Sequence, residues 1–95
     1  MAAYIIAMVN VHDTEKYKRY MALASQACQE HGGTYLARGG DKEIVEGSFP
    51  GDRVVILSFD SIEKAREFYH GATYQAGKQE RAGAADFNMM IVDGV

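Results

Sequence analysis

The sequence predicts an α+β domain of order β-α-β-β-α-β, and three observations lead there. Runs rich in β-branched and aromatic residues stand at Tyr4 to Val11, Arg53 to Phe59 and Phe87 to Val92. Between them lie two segments whose apolar residues recur at steps of three and four, the period of a helix. A further stretch that alternates like a strand begins at Thr34 and precedes the middle run, with a Pro50-Gly51 turn signal between the two.

The first strand is apolar on both faces, with Ile5, Ala7, Val9 and Val11 on one and Tyr4, Ile6 and Met8 on the other. Such a strand belongs inside a sheet or at an interface. Asp13 is placed to cap the first helix, and Glu15 sits in its first turn, where a carboxylate suits the helix dipole. Tyr17, Tyr20, Met21, Ala24, Ala27 and Cys28 make its apolar stripe, and His31-Gly32-Gly33 ends it.

The next segment, TYLARGGDKEIVEG at 34–47, alternates as far as Arg38, is interrupted by Gly39 and Gly40, and resumes at Ile44-Val45. Two shapes fit it. One is a hairpin turning at the glycine pair. The other, favoured here, is a long edge strand bulged at the glycines, whose second half pairs with Arg53 to Phe59 across Pro50-Gly51. In that register Glu46 faces Arg53, an opposite-charge pair contributing roughly 0.2–1 kcal/mol. The break then serves to turn Arg38 off the sheet, toward a cleft or toward a partner subunit.

Ser61 caps the second helix, whose apolar positions are Ile62, Ala65, Phe68, Tyr69 and Ala72. Gly71 loosens its end, Tyr74 to Arg81 can add another helical turn or two, and Gly83 breaks the chain before the last strand. This order is the ferredoxin-like one: an antiparallel sheet with both helices on one face. The opposite face would then show Tyr4, Ile6 and Met8, and the last strand offers apolar residues on both sides, Phe87, Met89 and Ile91 on one and Met90 and Val92 on the other. So large an apolar patch calls for a cover, and a second copy packed face to face is the simplest.

Composition narrows the partners. Hydrophobic residues are 47% and charged residues 24%, an ordinary globular balance, and residues 1–95 are expected to form a single domain. A net charge of −3 with no Lys/Arg cluster argues against a nucleic-acid partner. The lone Cys28 has no internal disulfide partner, which points to a reducing, cytoplasmic setting. The N-terminal apolar run lacks a basic leader and is too short to span a bilayer, so no membrane partner is expected. No phosphate-binding glycine motif is present, and His12, His31 and His70 lack metal-ligand spacing. No cofactor and no metal are expected.

The stretches AYIIAMVNVHDTEKYKRY, ARGG, EG, RVVILSFDSIEKAREFYH and YQAGKQERAGAAD follow one another in an order and spacing that resembles a domain-of-unknown-function family (number 1330) of the dimeric α/β-barrel superfamily. The resemblance spans essentially the whole chain. It implies a homodimer whose two sheets form a barrel-like sandwich with a cleft in each subunit. It implies no particular reaction: the wider relatives include cofactor-free monooxygenases, isomerases, haem-degrading enzymes and non-catalytic domains. One departure is visible. Where the family usually reads Ser-Pro-Glu-Tyr-Gln, this chain has Gly71-Ala72-Thr73-Tyr74-Gln75, so the acid is absent at Thr73.

The candidate site residues follow. Arg38 suits a carboxylate or an enolate through its planar fork, with an ion pair at the dimer seam as the alternative. His12, at a strand-to-helix junction, is the candidate for moving a proton. Tyr69, Tyr74 and Arg81 are expected to line a cleft together with Arg38, fit for a small aromatic or apolar organic acid. The expected function is a cytoplasmic homodimer binding such an acid, acting as a cofactor-independent enzyme if it catalyses anything. The alternative is a non-catalytic dimerisation module, in which these residues serve stability alone.

Overall fold

A computed structural model describes residues 1–95. Strand β1 (Ala3–Val11) leads into helix α1 (Thr14–Glu30), strand β2 (Thr34–Arg38) and strand β3 (Arg53–Phe59). Helices α2 (Ile62–His70) and α3 (Ala72–Glu80) follow, and strand β4 (Ala85–Asp93) ends the fold. The four strands form one antiparallel sheet in the order β2-β3-β1-β4, with the helices packed on one face. This is the ferredoxin-like arrangement expected from the pattern, with its second helical segment divided in two at Gly71.

The local signals account for the elements. The Asp13 side chain accepts from Lys16 N at 3.1 Å and caps α1, and Ser61 accepts from Lys64 N to cap α2. Gly32 takes the left-handed conformation (φ 71°) that ends α1. Ala3, Ile5, Ala7 and Val9 point from β1 into the core, where they meet Tyr17, Tyr20, Ala24, Ala27 and Cys28 of α1. Phe68 and Tyr74 bring α2 and α3 into the same cluster. Gly77 lets α3 approach α1, since a β-carbon there would stand 3.1 Å from the Leu23 side chain.

Residues 39–52 differ from the expectation. They form a connection, and Ile44-Val45 pairs with no strand. It is the first half of the segment, Thr34–Arg38, that pairs with β3. Pro50-Gly51 is therefore not a hairpin turn, and Glu46 does not face Arg53. The physical reason is that the end of the connection bonds to β1 instead. Asp52 N donates to Val9 O at 3.1 Å and to Asn10 Oδ1 at 2.9 Å, and Gly51 lies directly on the backbone of Met8 and Val9. The bulge also lies elsewhere: the register shifts between Tyr35 and Ala37, so Leu36 is the extra residue, not the glycine pair.

The face away from the helices carries Tyr4, Ile6 and Met8 in the middle, opposite Ser58, Ile56 and Val54 on one side and Val92, Met90 and Asn88 on the other. Met90 is 57% exposed and Val92 40%. No helix is long and apolar enough to cross a membrane.

Candidate functional site

The bulge decides where Arg38 points. Side chains alternate along a strand, so Tyr35 and Arg38, three positions apart, would normally lie on opposite faces. The inserted Leu36 restores them to one face. Tyr35 then stands opposite Leu57 and Arg38 opposite Val55, both on the helix side of the sheet. There the Arg38 guanidinium lies 4.2 Å from the centre of the Tyr35 ring and donates to Ser25 Oγ of α1 at 2.6 Å. Arg38 is thus directed toward α1 of its own subunit.

Arg53 joins it from the neighbouring strand. As the first residue of β3 it shares a face with Val55, Leu57 and Phe59. The two arginines border an internal cleft between α1 and the sheet, walled mainly by apolar groups such as Ile5, Met21, Phe68 and Phe87. About 30 Å³ of this cleft is open to the centres of water molecules, room for roughly two waters. That room holds little more than a carboxylate group, so the body of any larger acid would have to extend through the mouth.

The electrostatics are one-sided. The ion pairs of the chain are His12–Asp86, Lys18–Glu15, Arg19–Glu80 and Lys42–Asp52, and none involves Arg38 or Arg53. The Arg53 Nε is buried without a hydrogen-bond partner, its Nη2 lies 3.8 Å from the Met21 sulfur, and the Tyr17 hydroxyl is a neutral neighbour of the guanidinium. Burial pushes the Tyr17 hydroxyl above its ordinary range, opposed by the neighbouring Arg53. Burial also pushes Tyr20 far upward, reinforced by the Tyr74 hydroxyl 2.9 Å away. Both phenols stay protonated at neutral pH. The cleft therefore offers cations and hydroxyl donors, the equipment for binding an oxyanion.

These shifts carry a pH signature. In the unfolded chain a tyrosine ionises near pH ~10, whereas Tyr17 and Tyr20 hold their protons to higher pH when folded. Their contribution is complete below that pH and is lost as pH rises beyond it, because the unfolded state releases protons that the folded state retains. The melting temperature should therefore fall above about pH 10, and more gently in Tyr20→Phe. Parallel alkaline profiles for the two proteins would contradict this.

Gly39 belongs to the site. Its φ of 72° is in the left-handed region, and a β-carbon there would collide with the Arg53 guanidinium. Gly39→Ala should cost about 1–2 kcal/mol of stability through the backbone, and should also displace Arg53 from the cleft mouth. Denaturant titration and anion titration of the same variant read the two effects separately.

The remaining sequence candidates do not converge on Arg38. Tyr74 is fully buried, its hydroxyl engaged by Tyr20 and, at 3.5 Å, by Arg81 Nη2. It faces α1 across the close approach at Gly77, so it offers no wall to a cleft. Tyr69 and Arg81 line a separate groove beside β4, divided from the cleft by Phe87 and Met89, which line both. His12 lies at the surface with Nε2 2.9 Å from Asp86 Oδ2 and lines neither space. The four residues expected around one cleft do not share one: Arg38 lines the internal cleft, Tyr69 and Arg81 line the groove beside β4, and Tyr74 lines neither. Arg53, Tyr17 and Tyr35 line the cleft without having been candidates for it: the sequence sets Arg53 against Glu46 and Tyr17 on the apolar stripe of the first helix. Strand parity with Val55 and Leu57 was the signal available for Arg53. No group of three His, Cys, Asp or Glu side chains is arranged to hold a metal ion.

Known structures share this architecture. A protein of unknown function from Rhodopseudomonas palustris superposes with a TM-score of 0.76 at 17% identity, covering 99% of this chain and 82% of that one. A dimeric ferredoxin-like protein of unknown function from Thermobifida fusca superposes at 0.61 with 13% identity, covering 99% and 92%. SnoaB, a cofactor-independent oxygenase from Streptomyces nogalater, superposes at 0.61 with 5% identity, covering 99% and 93%. At these identities the likeness is one of fold. No curated protein matches the sequence. A family model does, and because it matches residues 2–95, nearly the full length, the chain belongs to the domain of unknown function family DUF1330.

Proposed function

We propose that this protein is a homodimer that binds a small organic acid in the cleft between α1 and the sheet of each subunit. The observation that carries the reading is the buried, unpartnered Nε of Arg53 beside Arg38, at the mouth of an apolar cavity that no carboxylate lines and where neither guanidinium has an ion pair. A carboxylate would supply the missing acceptor, and the hydrocarbon part of the acid would lie against the apolar residues toward the mouth, such as Met21 and Tyr35. The same donors would stabilise an enolate formed from such an acid. His12 retains a role in proton transfer only if a substrate reaches the surface at Asp86. The dimer rests on the open sheet face, where Ile6, Met8, Ile56 and Met90 adjoin. A cytoplasmic setting suits the free, buried Cys28.

A thermal-shift screen of small carboxylates tests the ligand. Stabilisation that disappears in Arg53→Ala and weakens in Arg38→Ala supports the site. No stabilisation by any acid, with weaker dimerisation of the Arg38 variant, supports the non-catalytic module instead. Light scattering at micromolar concentration should return the mass of two chains, and a mass near 10.5 kDa would refute the dimer.

A further inference from the structure

We propose that the groove between α3 and β4 is a second anion site, independent of the cleft, that takes an oxyanion carried on a flat apolar body. The groove offers about 460 Å³, with Phe87, Met89 and Ile91 as its floor and Tyr69, Lys78 and Arg81 among its walls. His70 adds a third group able to carry positive charge, and no aspartate or glutamate lines the space.

Neither strong cation has a carboxylate partner. Lys78 Nζ donates to the Tyr69 hydroxyl at 2.8 Å, a neutral acceptor. The Arg81 guanidinium lies over Phe87, 3.7 Å from the ring centre, with its Nη2 3.5 Å from the neutral Tyr74 hydroxyl and its Nε buried and unbonded. Cations near the end of a helix can simply offset its dipole. Lys16 acts in that way, reaching the free carbonyl of Ala82 just beyond α3. Arg81 does not, because its side chain bonds to no helix carbonyl and turns to the aromatic floor instead. A buried charged donor without an acceptor is costly and is relieved by an anion.

The chemistry of the ligand follows from the two surfaces. Lys78 and Arg81 suit a sulfonate, phosphate or carboxylate oxygen, and Phe87, Met89 and Ile91 suit a ring stacked beneath it. Phe87 and Met89 separate this groove from the Arg53 cleft, so occupancy of one does not require the other.

Titration of isotopically labelled protein with naphthalene-2-sulfonate, followed by NMR, tests the proposal. Amide shifts should concentrate at Lys78, Arg81 and residues 87–91, and should persist in Arg53→Ala. Lys78 is exposed, so Lys78→Ala should fold normally and bind at least about tenfold more weakly, the effect of one lost charged hydrogen bond. Equal binding of neutral 2-naphthol would overturn the anion assignment. So would unchanged affinity in Lys78→Ala, or shifts confined to the surroundings of Arg38 and Arg53. Inorganic sulfate binding as tightly as the aromatic sulfonate would overturn the apolar half of the assignment.

Discussion

Phe68→Ala is expected to lower the free energy of unfolding by about 3–5 kcal/mol. Phe68 is 1% exposed and lies at the centre of the core. Its ring centre is 5.2 Å from that of Phe59 and 4.9 Å from that of Tyr74, so it joins β3, α2 and α3 through one side chain. Truncation loses the transfer energy of the ring and leaves a void beside a cavity that already exists. A domain of this size has about 5–15 kcal/mol in total, so the variant should sit near the limit of folding. Urea titrations at one fixed protomer concentration give the measurement, since dimerisation adds to apparent stability. A loss below about 1 kcal/mol would mean that the surrounding helices collapse onto the vacancy more fully than packed cores normally do.

Arg53→Ala is expected to weaken binding of a small carboxylate by about tenfold to a hundredfold, the effect of charged hydrogen bonds to a partly buried anion. The same variant should keep most of its folding stability. Arg53 has no ion pair to lose, and its removal eliminates a buried donor that has no acceptor in the free protein. Arg53→Lys should fall between the two proteins, because it keeps the charge without the planar fork. Calorimetric titration with a screened carboxylate reads the affinity, and denaturation reads the stability. Unchanged affinity in Arg53→Ala would remove Arg53 from the site whatever happened to stability.

The two substitutions act on different levels of the structure, and those levels were not equally legible. Phe68 stands on a helical stripe with Ile62 and Ala65, so its burial can be read from spacing alone. Arg53 can be placed on the helix side of the sheet by parity with Val55 and Leu57. Its use there cannot be read, because an arginine beginning a strand is as easily a surface residue. The grouping of Arg38 with Tyr69, Tyr74 and Arg81 followed the family resemblance, which fixes their order in the chain and not their contacts in space. Packing sets them apart: Tyr74 turns inward to Tyr20, and Phe87 and Met89 stand between the two cationic regions.

By itself the sequence determined the element order, the caps at Asp13 and Ser61, the core face of β1 and the bare opposite face. All of these are set by neighbours within a few residues, where periodicity and capping chemistry operate. The tertiary structure alone decided the course of ARGG. Its bulge falls at Leu36 because β3 is the pairing partner, and a one-residue shift there reverses which face Arg38 occupies. Residues 39–52 leave the sheet because Asp52 and Gly51 dock on β1, a contact made across some forty residues of chain. Gly39 then serves not as the bulge but as the open space under the Arg53 guanidinium. Pairing partners and close approaches of this kind depend on segments far apart in the chain, so no local pattern encodes them.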